Sequence, residues 1–215
     1  MVHHRTEQVN ALRAVLYEYG YVIPQGIASI RRIADILGGQ NCDLPDLVCD
    51  ECRDLLEQIS SNTKLINVKT DLIKQLAKQT NMARQLQTIP GVGPMTAMAI
   101  AAFAPPMEVF KNGRTLSAWL GLVPRQYSSG GKERLGRVSK ACQADIRRHL
   151  IIGAMSRLTW LGKKSIPEGS WLAQMMARKP KIIVAIALAN KMARTIWATL
   201  TKETDYRDPT ISATA

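Results

Sequence analysis

The residues of this 215-residue chain best suited to chemistry are two serines set among cations. Ser128-Ser129-Gly130-Gly131 lies inside residues 111–164, which carry twelve Lys and Arg against two acids, Glu133 and Asp145, for a local net charge of +10. Glycines there let the backbone come close to a ligand. A serine hydroxyl in such a loop could attack a phosphodiester. The cations would stabilise charge developing on the phosphoryl oxygens while a neighbouring group or a metal takes the proton. Spacing alone favours a plainer reading, in which Ser-Ser-Gly-Gly is a loop and its arginines only hold phosphate. The candidate nucleic-acid contacts in this stretch are Arg125, Tyr127, Lys132, Arg134, Arg137, Lys140, Arg147 and Arg148.

A second candidate contact precedes it. Thr88-Ile89-Pro90-Gly91-Val92-Gly93-Pro94 separates two helical stretches, roughly 81–87 and 94–104, in the form of a helix-hairpin-helix. Gly91 and Gly93 permit positive φ at both ends of a tight turn, so that consecutive N–H groups could converge on a phosphate oxygen without reading a base. An ordinary tight turn between helices is the alternative. After Gly121-Leu122-Val123-Pro124 the chain reads as an irregular loop, and Ser139 is placed to start a helix running to about Leu158.

The rest of the chain must position these segments. Apolar spacing predicts helices over 4–19, ended by Gly20, and over 27–37, stopped by Gly38-Gly39. Asp43 is the expected N-cap of a third helix whose early acids, Asp46, Asp50, Glu51 and Asp54, suit a helix N-terminus better than a metal site. From Val48 through Cys52, Leu55, Ile59, Asn62, Ile66, Lys69, Ile73 and Leu76 to Thr80 the steps alternate between four and three. That is a heptad seam, with Asn62 and Lys69 as polar interruptions, and it needs a partner from the same chain or from a second copy. Cys49 and Cys52 have CxxC spacing but no second pair, and read as apolar helix positions; with Cys42 and Cys142 they give no disulfide framework. No metal ligands are assigned. A tail helix near 180–200 is expected to pack on the C-terminal domain. The fold class is therefore all-α, with a helical region and coiled coil over 1–80 and a compact helical domain over 81–215.

Charge divides along the same line. Residues 1–80 carry a net charge of −1 and residues 81–215 carry +13, within a total of +12. A basic half points to a polyanionic partner, nucleic acid first. Mean hydropathy is −0.08. The apolar run from Ile182 to Asn190 is short of a membrane span, and no signal-peptide pattern follows Met1. A cytoplasmic protein with no membrane partner is expected.

Three separated motifs in order, Ile89-Pro-Gly-Val-Gly-Pro94, the run from Phe110 to Lys132 and Gly136-Arg-Val-Ser-Lys-Ala141, closely resemble one family of bacterial insertion-sequence transposases. Members join an N-terminal RuvC-like DEDD domain to a coiled coil and a C-terminal serine transposase domain. The resemblance is strong over about residues 85–160. It implies that the serine of the Pro-Arg-x-Tyr-x-Ser-Gly segment, here Ser129, is a nucleophile that links covalently to DNA, with Ser128 second. It also implies DNA as partner, a structured guide RNA, and a homo-oligomer through the coiled coil.

The family's four metal-binding acids belong to the RuvC-like domain, and no matching segment lies in residues 1–80. The expectation is a truncated chain, inactive alone, with no cofactor of its own and Mg²⁺ only where the acidic domain is supplied. The competing readings are a non-catalytic helix-hairpin-helix binding module and a coiled-coil inhibitor that forms mixed dimers with full-length transposase.

Overall fold

The computed structural model describes residues 1–38, 43–162, 166 and 169–207. Gly39, Cys42, Lys163 and Lys164 lie outside the described residues. Among the described residues the secondary structure is nine α-helices, two short 3-10 turns and one two-stranded hairpin, so the fold is mostly all-α, as the periodicities predict. The chain divides into two compact units, Met1–Leu72 and Ile73–Ala215.

The first unit contains α1 (Val2–Glu18), α2 (Ile30–Gly38) and most of α3 (Asp46–Gln79). Gly20 ends α1 as expected. At φ +84 it turns the chain so that its N–H reaches the Tyr17 carbonyl and that of Tyr21 reaches Leu16, satisfying two carbonyls a helix end leaves open. Helix α3 begins later than Asp43 suggests. The Pro45 carbonyl accepts from Val48 and Cys49, so Pro45 holds the cap position and Asp46 lies in the first turn. Cys49 and Cys52 are buried in the unit's core with Leu12, Leu16, Ile33 and Ile59.

The heptad seam is filled unevenly. Its first half packs within its own unit: Ile59 is 2% exposed, and Asn62 donates to Gln8 Oε1 at 2.8 Å while Gln8 Nε2 donates to Gln58 Oε1 at 2.7 Å. The polar interruption therefore has an intrachain partner. Further along the seam Ile66 and Ile73 are half-buried while Lys69 and Leu76 are exposed, with Leu65, Val68 and Leu72 exposed beside them. A charge placed at Ile59 would thus test folding of this unit rather than association.

The second unit is arranged around α9 (Lys181–Lys202), with α4 (Asn81–Gln87), α5 (Pro94–Phe103), α6 (Gly113–Trp119), α7 (Ala144–Leu161) and α8 (Trp171–Arg178) about it. Helix α9 has the length and apolarity of a membrane span, but Val184, Ala185, Leu188, Ala189, Met192, Ala193 and Ile196 are buried in the unit's core. It packs on the C-terminal domain, as expected of the tail helix. Helix α8, too short and weakly patterned, was not foreseen.

The turn between α4 and α5 is pressed onto α7. Gly91 has φ +94, and a Cβ added at Gly153 would lie 2.0 Å from the Gly91 carbonyl oxygen. Arg157 of α7 also donates to the Pro90 carbonyl at 3.3 Å. Two glycines thus let two backbones touch where any side chain would hold them apart. Gly153→Ala should therefore cost about 1–3 kcal/mol by overpacking. The measurement is the urea midpoint of the full chain, which should fall, whereas Gly38→Ala, with open space around its Cα, should leave it nearly unchanged.

Candidate nucleic-acid interface

The Ser-Ser-Gly-Gly segment is a hairpin turn rather than an irregular loop. Strands β1 (Pro124–Gln126) and β2 (Leu135–Val138) pair antiparallel, and beyond them Ser129 pairs with Lys132. Gly130 and Gly131 have φ +56 and +79, and the Lys132 N–H donates to the Ser129 carbonyl at 3.1 Å. Two consecutive positive φ values closed by that bond make a type I′ turn, whose twist matches the strands. Gly-Gly between short extended runs was the signal for it. The strand register slips by one residue at Gly136-Arg137, a bulge. There the Tyr127 ring lies against Gly136, whose added Cβ would sit 2.4 Å from Tyr Cε2.

The two serines differ in how they are held. Ser128 Oγ donates to Gln126 Oε1 at 3.0 Å and accepts from the Arg134 N–H at 3.1 Å, so its hydroxyl braces the hairpin. Among the described residues no hydrogen bond engages Ser129 Oγ, and Ser129 is exposed at the turn.

The cations are placed in two ways. Arg125, Lys132, Arg134, Arg137, Lys140 and Arg148 are exposed. Arg125, Tyr127, Gly136, Arg137, Val138 and Lys140 line a shallow groove of about 440 Å³ along the hairpin. Arg147 is half-buried and turned inward, donating from Nη1 to the carbonyls of Leu120 at 3.1 Å and Ala141 at 2.7 Å. It braces the base of the hairpin. Among the described residues no ion pair within 4.0 Å engages Glu133 or Asp145. No ion pair among the described residues neutralises the hairpin's cations.

The base is anchored on both sides. Gly121 (φ +65) ends α6, its N–H bonding Ala118 while that of Leu122 bonds Ser117, and a Cβ there would lie 2.5 Å from the Ala141 nitrogen. Asn190 of α9 donates to the Leu122 carbonyl at 3.1 Å. On the return side Ser139 does not start a helix. Its N–H bonds the Val123 carbonyl, extending the ladder, and α7 begins only at Ala144. Between them Lys140 and Cys142 have φ +55 and +49, which no run of helix can accommodate and which L-residues adopt at a cost.

Gly91 and Gly93 also differ. Gly91 uses its positive φ against α7, whereas Gly93 has φ −92 and stands exposed as the N-cap of α5 ahead of Pro94. Only one of the two glycines needs left-handed backbone. The seat of Gly91 on Gly153 orients one side of this turn inward and leaves Gly93 on the open side.

Comparison with known proteins bears on this surface. Residues 83–166, which contain the α4–α5 turn, the hairpin and most of α7, match the family model described as "Transposase IS116/IS110/IS902 family". Residues 83–166 of this unit are thus similar to that transposase family. A "Probable family 20 transposase" of Pseudomonas aeruginosa is 34% identical over 209 residues, covering 96% of this chain and 62% of the relative. The "Transposase for insertion sequence element IS1111A" of Coxiella burnetii is 33% identical over 208 residues, covering 96% and 57%. The "Transposase for insertion sequence element IS1328" of Yersinia enterocolitica is 32% identical, covering 96% and 61%. The chain thus spans about three-fifths of the length of these relatives, and nearly all of it has a counterpart in each.

Two outcomes follow for this unit. Arg147→Met should loosen the hairpin base, seen as faster trypsin cleavage at Arg134 and Arg137, and should cost about 1–3 kcal/mol through the carbonyls left behind. Cys142→Gly should raise the thermal midpoint, since glycine holds φ +49 without strain, with a gain of up to about 1 kcal/mol.

Proposed function

We propose that this domain works in DNA transposition, with Ser129 as the nucleophile and the hairpin cations as the clamp on the scissile phosphate. The observation that carries the reading is the contrast between the two serines. Ser128 spends its hydroxyl on bracing the strands, while Ser129 presents an exposed hydroxyl at the first position of the I′ turn. Lys132 pairs directly with Ser129, and Arg134, Arg125 and Arg137 follow along the same hairpin, exposed and able to hold phosphoryl oxygens as charge develops on them. The open face at Gly93 and the exposed Arg148 serve as phosphate contacts that fix register and carry no sequence information.

In the step itself, Ser129 Oγ bonds to phosphorus as one phosphorus–deoxyribose oxygen bond breaks. The serine proton passes to a base, and the released sugar oxygen ends as a hydroxyl. Glu133 stands on the hairpin and Asp145 in the first turn of α7, and the described residues include no group of three or more His, Cys, Asp or Glu able to hold a metal. The described residues do not fit a Mg²⁺ site. The proton acceptor, the acids of a RuvC-like domain and the guide RNA are assigned to polypeptide and RNA outside these 215 residues, and the exposed apolar half of α3 to a second copy of the chain.

The test is a denaturing gel with labelled element-end DNA. The chain alone should give no covalent adduct, addition of an acidic RuvC-like domain and the cognate RNA should give one, and Ser129→Ala should remove it. An adduct that survives Ser129→Ala contradicts the assignment. An adduct from the chain alone places the proton acceptor within it.

A further inference from the structure

A second basic surface lies away from the hairpin turn. Lys191, Arg194, Ala198 and Lys202 follow one another at i, i+3, i+7 and i+11 on α9, which puts them on one helix face opposite the buried one. At 1.5 Å per residue the stripe is about 17 Å long. All three cations are exposed. The tail from Thr204 to Arg207 forms the other wall of a groove of about 690 Å³ whose floor is made of small residues, Thr195, Ala198 and Thr199. That wall is tied down: the Tyr206 N–H donates to Thr88 Oγ1 at 3.0 Å, and Tyr206 packs against the core. Arg207 is thereby held facing the stripe. Among the described residues Asp205 is the one carboxylate lining the groove, against four cations.

We infer that this groove is a second binding surface for the phosphate backbone of duplex DNA, separate from the hairpin and continuous with its base. The inference rests on the transposition reading for the identity of the polyanion. A stripe of about 17 Å runs beside about five phosphates of one strand. The small floor residues let a backbone approach, and the spaced cations reach it singly. Single-strand binding instead relies on exposed aromatic faces for base stacking. Tyr206, the groove's aromatic residue, is turned to the core, and the neighbouring Trp171 ring is taken by Lys191 Nζ at 5.1 Å. The groove starts one residue after Asn190, whose side chain holds the hairpin's entry at Leu122. One duplex held by the hairpin thus has a second row of cations beginning at its base.

The experiment is fluorescence anisotropy of the full chain on a labelled duplex across a salt series. Arg194→Ala/Lys202→Ala should reduce the magnitude of the log–log salt slope by about 1.8, two phosphate contacts at about 0.9 each. Thr195→Glu should weaken binding without touching any cation, an independent reading should the double variant lose its fold by circular dichroism. Arg125→Ala/Arg137→Ala reports on the hairpin separately. An unchanged slope in the groove variants beside a reduced slope in the hairpin variant overturns this inference and leaves the transposition reading standing. A loss seen on single-stranded RNA and absent on duplex also overturns it. No duplex binding by the wild-type chain would overturn the transposition reading itself.

Discussion

The second unit depends on one buried helix. Every segment that positions the hairpin is held, directly or through one neighbour, by α9. Its apolar face fills the core, its Asn190 fixes Leu122, the Asn190 carbonyl and that of Gly113 take the Ser117 hydroxyl, and Met192 fills the space beside Gly91 and Gly153. A helix this apolar has to be enclosed, and enclosing it brings together α4, α6 and α7, which lie far apart in the chain. Where the enclosure is closest, at Gly91 and Gly153, only glycine fits. The hairpin projects from this frame and contributes nothing to the core: the residues of β1 and the turn are exposed throughout.

That arrangement separates stability from charge. The apolar surface that holds the unit lies on α4 to α7 and α9, while among the described residues no ion pair engages the exposed arginines and lysines of the hairpin. Like charges gathered without neutralisation repel one another, and a polyanion relieves that repulsion when it binds. Arg147 is the exception. It sits within the cationic stretch yet serves the frame by satisfying two carbonyls at the hairpin base. Counting it with the phosphate contacts on charge alone misses that distinction, because a sequence does not show which way a guanidinium turns.

Much of the fold was legible in the residues. Periodicity and the turn signals located α1 to α5 and α9 closely, and Gly20 ended its helix as turn chemistry requires. The errors fall where local rules compete with tertiary ones. Asp43 is a good cap, but the helix starts after Pro45. Ser139 precedes a helical pattern, but ladder bonding to Val123 and the left-handed Lys140 and Cys142 delay α7 to Ala144. The hairpin was read as a loop although Gly130-Gly131 is the pair a I′ turn asks for, since its strands are too short and too polar to show alternation. The contrast between Ser128 and Ser129 had no sequence signal at all; it comes from the hairpin register, which pairs Tyr127 with Arg134 and so brings the Arg134 N–H within reach of the Ser128 hydroxyl.

The central claim is that Ser129, and not its neighbour, bonds to DNA. The most direct measurement is tandem mass spectrometry of the covalent adduct after nuclease trimming and trypsin, on the peptide Gln126–Lys132, which contains both serines. A nucleotide remnant localised to Ser129 Oγ is the expected result, and a remnant on Ser128 or on a different peptide would contradict the account.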